Sequence, residues 1–156
     1  MSAHIIDGKA LALSLREDIA HAVSALVEET GVRPGLAAVL VGDDPASAVY
    51  VRNKKIACEK AGLYPQEHVL PASTTQEALL ALIQQLNANS KIHGILVQLP
   101  LPPHIESKAI LQAVSSDKDV DGFHPINVGR LVEGDPVFVP CTPKGCIELL
   151  DRMGIE

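Results

Sequence analysis

Short apolar runs alternate with longer segments of helical periodicity along this chain of 156 residues, and this alternation restricts the fold more than any other feature. Residues 36–41 form a continuous apolar run that ends at a Gly-Asp-Asp-Pro turn, and residues 94–99 form a second run that ends in prolines. Runs this short and apolar are typical of strands buried on both faces. Residues 68–70 are a weaker third candidate. Strands separated by helices predict an α/β fold of three α/β/α layers around a mostly parallel sheet.

Helices are predicted between these strands from apolar spacing and from the residues that start and stop helices. Thr74 and Glu77 have the spacing of a capping box before the third helix, and Pro143 suits the first turn of the last one. The polar, glycine-rich residues 115–136 are assigned to neither helix nor strand. The predicted helices cover residues 8–29, 46–61, 78–86, 106–114 and 143–153.

Composition and charge exclude several classes of function. The chain has 13 Lys and Arg against 19 Asp and Glu, a net charge of −6, and its aromatic residues are two Tyr and two Phe. Basic patches and stacking rings are both scarce, so no nucleic-acid partner is predicted. Because no apolar run approaches about 18 residues and no secretory signal begins the chain, no membrane partner is predicted either.

Cysteine and histidine patterns predict neither disulfides nor a metal site. Three cysteines without a CxxC motif fit a reducing, cytoplasmic setting, and we expect all three thiols to be buried as small apolar side chains. The six histidines lack metal-ligand spacing. Residues 117–122 resemble a calcium loop only superficially, since Asn127 stands where a bidentate acid is needed and Lys118 adds a cation.

Phosphate-binding glycine motifs are also missing from the sequence. Neither GxGxxG nor GxxxxGKS/T occurs, so these residues encode no dinucleotide or nucleoside triphosphate site of the usual kind.

Tyr50 and Lys54 are the first candidate pair for chemistry. They stand four residues apart, so they share one face of the predicted helix that follows the first strand. Ligands of an open parallel sheet gather at the carboxyl ends of its strands, where this helix starts. A lysine serves as a base only where desolvation or a nearby cation favours its neutral form. The alternative is a solvated lysine beside a half-buried tyrosine.

Two further polar residues occupy positions that need an explanation. Gln98 stands near the end of an apolar run, where a buried amide must be hydrogen-bonded either by backbone groups or by a ligand. Asp121 precedes Gly122, and its carboxylate could grip a flat N–C–N edge with two parallel hydrogen bonds. The alternative for Asp121 is capping of a turn.

Several short segments, taken in this order, resemble the N-terminal, catalytic half of the bifunctional methylenetetrahydrofolate dehydrogenase/methenyltetrahydrofolate cyclohydrolases. The resemblance extends over essentially the whole chain and implies the fold of an aminoacid dehydrogenase-like N-terminal domain. Its markers are Ile6-Asp-Gly-Lys9, Val41-Gly-Asp-Asp-Pro-Ala-Ser47, Tyr50-Val-Arg-Asn-Lys54, Leu86-Asn-Ala-Asn89, Ile95-Leu-Val-Gln-Leu-Pro-Leu-Pro102, Lys118-Asp-Val-Asp-Gly122 and Pro140-Cys-Thr-Pro143.

The resemblance implies a role for each candidate residue. Lys54 matches the lysine that assists proton transfer and water attack, and Gln98 matches the glutamine that tunes it. Tyr50 matches the tyrosine that stacks on the aminobenzoate ring of folate, and Asp121 matches the aspartate that holds the pterin. Lys54, Tyr50 and Gln98 are therefore the expected catalytic residues. The expected substrate-binding residues are Tyr50, Lys54, Gln98, Leu99, Pro100 and Asp121.

The resemblance also implies the reactions and the cofactor. Methylenetetrahydrofolate is oxidised to the methenyl cation with NADP, and water then converts this cation to formyltetrahydrofolate, in one-carbon metabolism. Residues 1–140 are expected to form the catalytic domain, and residues 141–156 a helix that leads toward an NADP domain outside these residues. We therefore expect no cofactor-binding residue here and no NADP-dependent oxidation by these residues alone. A homodimer is implied for the full-length family.

Two hypotheses of other classes stay open from the residues. The chain could be a folate- or partner-binding module without turnover. It could also be a lyase that forms a Schiff base on Lys54.

Overall fold

The computed structural model describes residues 5–155 and confirms the α/β class, with a three-stranded parallel sheet flanked by helices. The elements are α1 Gly8–Thr30, β1 Gly35–Val41, α2 Pro45–Lys60, β2 Tyr64–Leu70, α3 Gln76–Ala88, β3 Gly94–Val97, α4 Ser107–Ala113, α5 Pro125–Glu133 and α6 Cys141–Arg152.

The sheet has the order β2-β1-β3, so the most apolar strand is the central one. Val39 in the middle of β1 pairs with His68 on one side and with Val97 on the other. All of β1 is buried except Leu36, which is partly so. Strand β2 lies at an edge and starts four residues before the predicted one, where Pro65 and alternating polar residues hide the strand pattern.

Side chains alternate between the two faces of β1, and each face has its own helical layer. Ala37, Val39 and Val41 pack with residues of α3 and α4, among them Ile83 and Ile110, which are both fully buried. On the other face Ala38 and Leu40 pack with Val51 of α2. The three-layer prediction is therefore confirmed. Because helices cover both faces of β1, none of its side chains is polar.

The start of α3 corrects one prediction. Thr75, not Thr74, caps this helix, because the Thr75 hydroxyl accepts a hydrogen bond from the amide of Ala78 at 3.2 Å. The Thr74 hydroxyl instead donates to the carbonyl of Pro71 at 2.7 Å. Two adjacent threonines give the same side-chain chemistry, so sequence spacing could not separate them.

Residues 115–136 correct a second prediction, since they contain the nine-residue helix α5. Pro125 occupies the first turn of this helix, and Gly134 ends it with a left-handed φ of 82°. Helix α5 lies in the sequence between Asp121 and helix α6. Among the described helices, none combines the length and the apolar character that a membrane crossing requires.

Candidate functional site

The carboxyl ends of β1 and β3 and one face of α2 meet at a single edge of the sheet. Gln98 directly follows β3. Its backbone amide donates to the carbonyl of Val39 in β1 at 2.8 Å, which extends the hydrogen-bond ladder between β1 and β3 by one residue. Lys54 lies on α2, which begins four residues after β1 ends. The sequence-based placement of both residues at the ligand edge of the sheet agrees with this geometry.

Lys54 and Gln98 are in contact across 44 residues of sequence. The Lys54 Nζ donates to Gln98 Oε1 at 3.3 Å, and Gln98 Nε2 donates to the carbonyl of Leu99 at 2.9 Å. Both ends of the amide therefore have partners, one from the backbone and one from the lysine. Both side chains are half-buried, so Lys54 is not a fully solvated surface lysine.

Asp121 lies close enough to Lys54 for the two charges to interact. Burial raises the pKa of Asp121, the Lys54 ammonium lowers it and the Asp119 carboxylate raises it, and the pKa stays above its ordinary value. Among residues 5–155, no side chain or amide donates a hydrogen bond to the Asp121 carboxylate, which keeps contact with solvent. Asp121 is thus a half-buried acceptor available to a ligand.

Turn capping, the alternative considered for Asp121, belongs to Asp119 instead. The buried Asp119 carboxylate accepts hydrogen bonds from the amide of His124 at 2.8 Å and from the side chain of Asn127 at 2.9 Å. It therefore fixes the start of α5. Two carboxylates that alternate in sequence have separate tasks, one structural and one open to a ligand.

Tyr50 stands one helical turn before Lys54, and its side chain is 62% exposed. The ring is therefore a flat apolar surface beside the lysine with room for a partner. Leu99 is half-buried and Pro100 is exposed, and the peptide bond between them is cis. These residues border the same edge, immediately after Gln98.

Lys118 and Asn87 are polar residues to which sequence analysis assigned no role. Lys118 donates to three backbone carbonyls at the end of α3, and Asn87 bonds to the backbone at residues 113 and 115. Both residues lie in segments that carry the family resemblance, but their partners are backbone groups, which have no residue-type pattern from which the contact could be predicted.

The cysteines correct the expectation of three buried thiols. Cys58 is buried, whereas Cys141 and Cys146 on α6 are exposed. Burial, with a smaller contribution from Glu59, raises the pKa of the Cys58 thiol. Within residues 5–155, no group of three or more His, Cys, Asp or Glu side chains has the arrangement of a metal site.

Comparison with protein families gives one matching model. Residues 6–121 match the model described as tetrahydrofolate dehydrogenase/cyclohydrolase, catalytic domain. Among curated proteins, the chain is 58% identical over 156 residues to the bifunctional protein FolD of Moorella thermoacetica, covering 100% of this chain and 55% of that protein. It is also 58% identical over 154 residues to FolD of Magnetococcus marinus, covering 99% and 54% of the two chains.

Solved structures give the same match. The bifunctional FolD methylenetetrahydrofolate dehydrogenase/cyclohydrolase of Campylobacter jejuni superposes with a TM-score of 0.95 at 46% identity, covering 99% of this chain and 55% of that one. The Trypanosoma brucei FolD, solved with NADP cofactor and inhibitor, has a TM-score of 0.95 at 40% identity, with 100% and 54% coverage. The chain spans about half the length of the relatives it matches.

Proposed function

This chain belongs to the tetrahydrofolate dehydrogenase/cyclohydrolase family, and from that premise we propose that it binds a reduced folate at the edge formed by Tyr50, Lys54, Gln98 and Asp121. We further propose that this edge carries the proton transfers by which water converts methenyltetrahydrofolate to formyltetrahydrofolate. The observation that carries the proposal is the contact of Lys54 with Gln98 at 3.3 Å, with the Asp121 carboxylate beside them.

Asp121 and Tyr50 supply the groups that a folate needs for binding. The Asp121 carboxylate has no internal hydrogen-bond donor among the described residues, so both oxygens can accept from the N–C–N edge of a pterin ring. Charge-assisted pairs of this kind are among the stronger hydrogen bonds in proteins. The exposed Tyr50 ring offers a flat face for the aminobenzoate group. The half-buried Leu99 and the exposed Pro100 directly follow Gln98 and would continue this binding surface.

Lys54 supplies the proton chemistry of the hydrolysis. The methenyl carbon is an amidinium-like electrophile, and its positive charge beside Lys54 favours the neutral amine that a base requires. The oxygen of water forms the new bond to this carbon while the Lys54 amine removes a proton from that water. The bond from this carbon to N5 then breaks, the remaining hydroxyl proton leaves as the formyl carbonyl forms on N10, and N5 receives a proton. The Gln98 carbonyl oxygen holds the ammonium in place after each transfer.

The strand-to-helix connections do not fit the phosphates of NADP. Of the three such connections within residues 5–155, only the one between β1 and α2 contains a glycine, Gly42. There the Asp44 carboxylate accepts from the amide of Ser47 at 2.7 Å and so occupies the N-terminus of α2. This hydrogen bond lowers the pKa of Asp44, so a negative charge sits where a phosphate would bind. These connections therefore offer the cofactor no phosphate site.

A binding module without turnover is the second candidate function. Tyr50 is 62% exposed, so the ring has no cover on one side among the described residues. A pocket open on one side can hold the pterin yet leave the methenyl carbon in bulk water, where proton transfer gains little from Lys54.

Two measurements on the 156-residue chain test the proposal. Calorimetric titration with tetrahydrofolate measures binding, and the decay of methenyl absorbance measures hydrolysis above the rate in buffer. Saturable binding with accelerated decay supports the enzyme, and binding without acceleration supports the module. Absence of both would contradict the proposed site.

A further inference from the structure

The ammonium of Lys118 holds the end of helix α3. Its Nζ donates to the carbonyls of Leu86 at 3.2 Å, Asn87 at 2.8 Å and Asn89 at 2.9 Å. A lysine has three N–H donors, and all three have a backbone acceptor here. The carbonyls of Leu86 and Asn89 also accept from the backbone amides of Asn89 and Ile92, at 3.2 and 3.1 Å. The last carbonyls of a helix carry partial negative charge, so the ammonium adds charge-assisted hydrogen bonds at this place.

Lys118 uses its charge for these carbonyls alone. Although it stands between Asp117 and Asp119 in sequence, it forms no ion pair in the part of the chain that the structure describes. Asn87 connects the end of α3 to residues 113–115 as well. Its side chain donates to the carbonyl of Ala113 at 2.8 Å and accepts from the amide of Ser115 at 2.9 Å. Residues 113–118, which precede Asp121, are thus hydrogen-bonded to the end of α3.

The same segment is also fastened to the sheet and to α5. The amide of the buried Ile95 in β3 donates to the carbonyl of Lys118 at 2.7 Å, and Ile95 forms an isolated parallel bridge with Asp119. The Asp119 carboxylate holds the start of α5. Lys118 and Asp119 therefore have fixed neighbours on three elements, and Asp121 follows two residues later.

We propose that Lys118 is a positioning residue for Asp121: by holding residues 115–119 against the end of α3, its ammonium sets where the Asp121 carboxylate lies relative to Lys54 and a bound pterin. This inference rests on the proposed folate site. The contact joins two sequence motifs, residues 86–89 and 118–122, that are about 30 residues apart. Within these two motifs, Asp121 is the residue to which the proposed folate site gives a role.

A double-mutant cycle tests the link through folate binding. K118M removes three donors at similar side-chain length, and we expect it to raise the Kd for tetrahydrofolate at least fivefold. In a D121N background the same change should alter the Kd less than twofold, because the group being positioned is gone. An equal loss in both backgrounds would overturn the proposal. K108M is the matched control, since Lys108 is exposed on α4 and makes no side-chain hydrogen bond among residues 5–155.

A second measurement needs no folate. We expect K118M to move the midpoint of the Asp121 carboxyl titration, followed by carbon NMR on the ligand-free protein, whereas K108M leaves it unchanged. An unmoved midpoint in folded K118M would overturn the proposal. If the wild-type chain binds no tetrahydrofolate and K118M still moves the midpoint, the folate assignment fails and the positioning by Lys118 stands.

A replacement covers the case in which K118M does not fold. K118R keeps the charge, but its planar guanidinium cannot direct three donors at the same converging carbonyls. We expect K118R to raise the Kd for tetrahydrofolate at least twofold. We also expect it to shift the midpoint of the Asp121 carboxyl titration away from the wild-type value. Wild-type values of both quantities in K118R would overturn the proposal.

Discussion

The Nζ of Lys54 and the Oε1 of Gln98 lie 3.3 Å apart, although the two residues are 44 positions apart in the sequence. The orientation of this amide follows from its second hydrogen bond, in which Nε2 donates to the carbonyl of Leu99 at 2.9 Å. With the nitrogen held there, only the oxygen can face the ammonium. The backbone after β3 thereby determines which group Lys54 meets.

Replacing Lys54 tests the proton chemistry. We expect K54M to lower the rate of methenyltetrahydrofolate hydrolysis by about 10² to 10⁴, the usual contribution of a positioned acid or base, with the fold unchanged. The decay of methenyl absorbance measures the rate, and circular dichroism checks the fold. K55M is the control, because Lys55 is the next residue and only forms an exposed pair with Glu67 at 3.8 Å. Hydrolysis by K54M at the K55M rate would remove Lys54 from the mechanism.

Replacing Gln98 tests whether the amide acts through Lys54. Hydrogen bonds to charged groups are worth about 1.5–3 kcal/mol, so we expect Q98L to slow hydrolysis by roughly 10- to 100-fold. In a K54M background, Q98L should cause little further loss, because the two groups act as one unit. Q85L, on the exposed face of α3, serves as the control. Independent losses in the double variant would show that Gln98 acts elsewhere.

Replacing Asp121 tests the pterin contact. We expect D121N to weaken tetrahydrofolate binding by about 1.5–3 kcal/mol, because an amide offers one neutral acceptor in place of two charged oxygens. Calorimetric titration gives the Kd. D117N is the matched control, since Asp117 is exposed and lies in the same segment. Equal affinities of D121N and D117N would exclude a carboxylate contact with the ligand.

The same variant has an opposite effect on stability, with a defined pH dependence. Burial raises the pKa of Asp121 in the folded chain above its ordinary value of 3.8. The ionised carboxylate therefore destabilises the fold at pH values above the folded pKa, whereas below 3.8 it is protonated in both states. We expect the unfolding free energy of D121N to exceed that of the wild type at pH 7, with the excess vanishing as the pH falls below 3.8. Urea unfolding at a series of pH values measures this, and a constant difference would contradict it.

The sequence predicts those features that depend on residue type in a local pattern. Strand β1 is recognisable because both of its faces are buried and seven consecutive residues carry no polar side chain. Gln98 is conspicuous for the converse reason, as a polar residue at the end of an apolar run. Tyr50 and Lys54 share a helix face, which spacing alone requires. Their roles toward a folate stay predictions.

What the sequence does not predict depends on backbone partners and on neighbours distant in sequence. Lys118 reads as an ordinary charge in a polar segment, because its three acceptors are carbonyls that any residue could provide. Helix α5 was not predicted because it is short, lies in a polar, glycine-rich stretch and buries Asn127 in place of an apolar residue, although Val128, Leu131 and Val132 have helical spacing. Asp119 and Asp121 alternate in one short segment, and the sequence does not show that Asp119 accepts the hydrogen bonds at the start of α5 whereas Asp121 accepts none.

The cysteines provide a test that is independent of folate. The thiolate is the reactive form of cysteine, and burial raises the pKa of Cys58 while Cys141 and Cys146 are exposed. We expect two thiols to react rapidly with Ellman's reagent in the native chain and the third only after denaturant is added. In a C141S/C146S variant, no fast thiol should remain. Rapid labelling of Cys58 in that variant would contradict its burial.

Gly94 links the packing of the sheet to the position of Asp121, and an alanine there tests that link. A Cβ on Gly94 would lie 2.5 Å from the Cγ1 of Val120 and 3.1 Å from Leu36, so Val120, the neighbour of Asp121, has to shift. Overpacking of this kind costs about 1–3 kcal/mol, and we expect G94A to lower the unfolding free energy by that amount and to weaken tetrahydrofolate binding as well. G129A is the matched control: Gly129 lies inside α5 with nothing within 4 Å of the added carbon, so alanine should stabilise the chain by about 0.5–1 kcal/mol and leave the Kd unchanged. Because the two variants add the same methyl group, a loss of affinity confined to G94A assigns the effect to the displacement of Val120, whereas wild-type affinity in a destabilised G94A would show that Asp121 keeps its position when its neighbour moves.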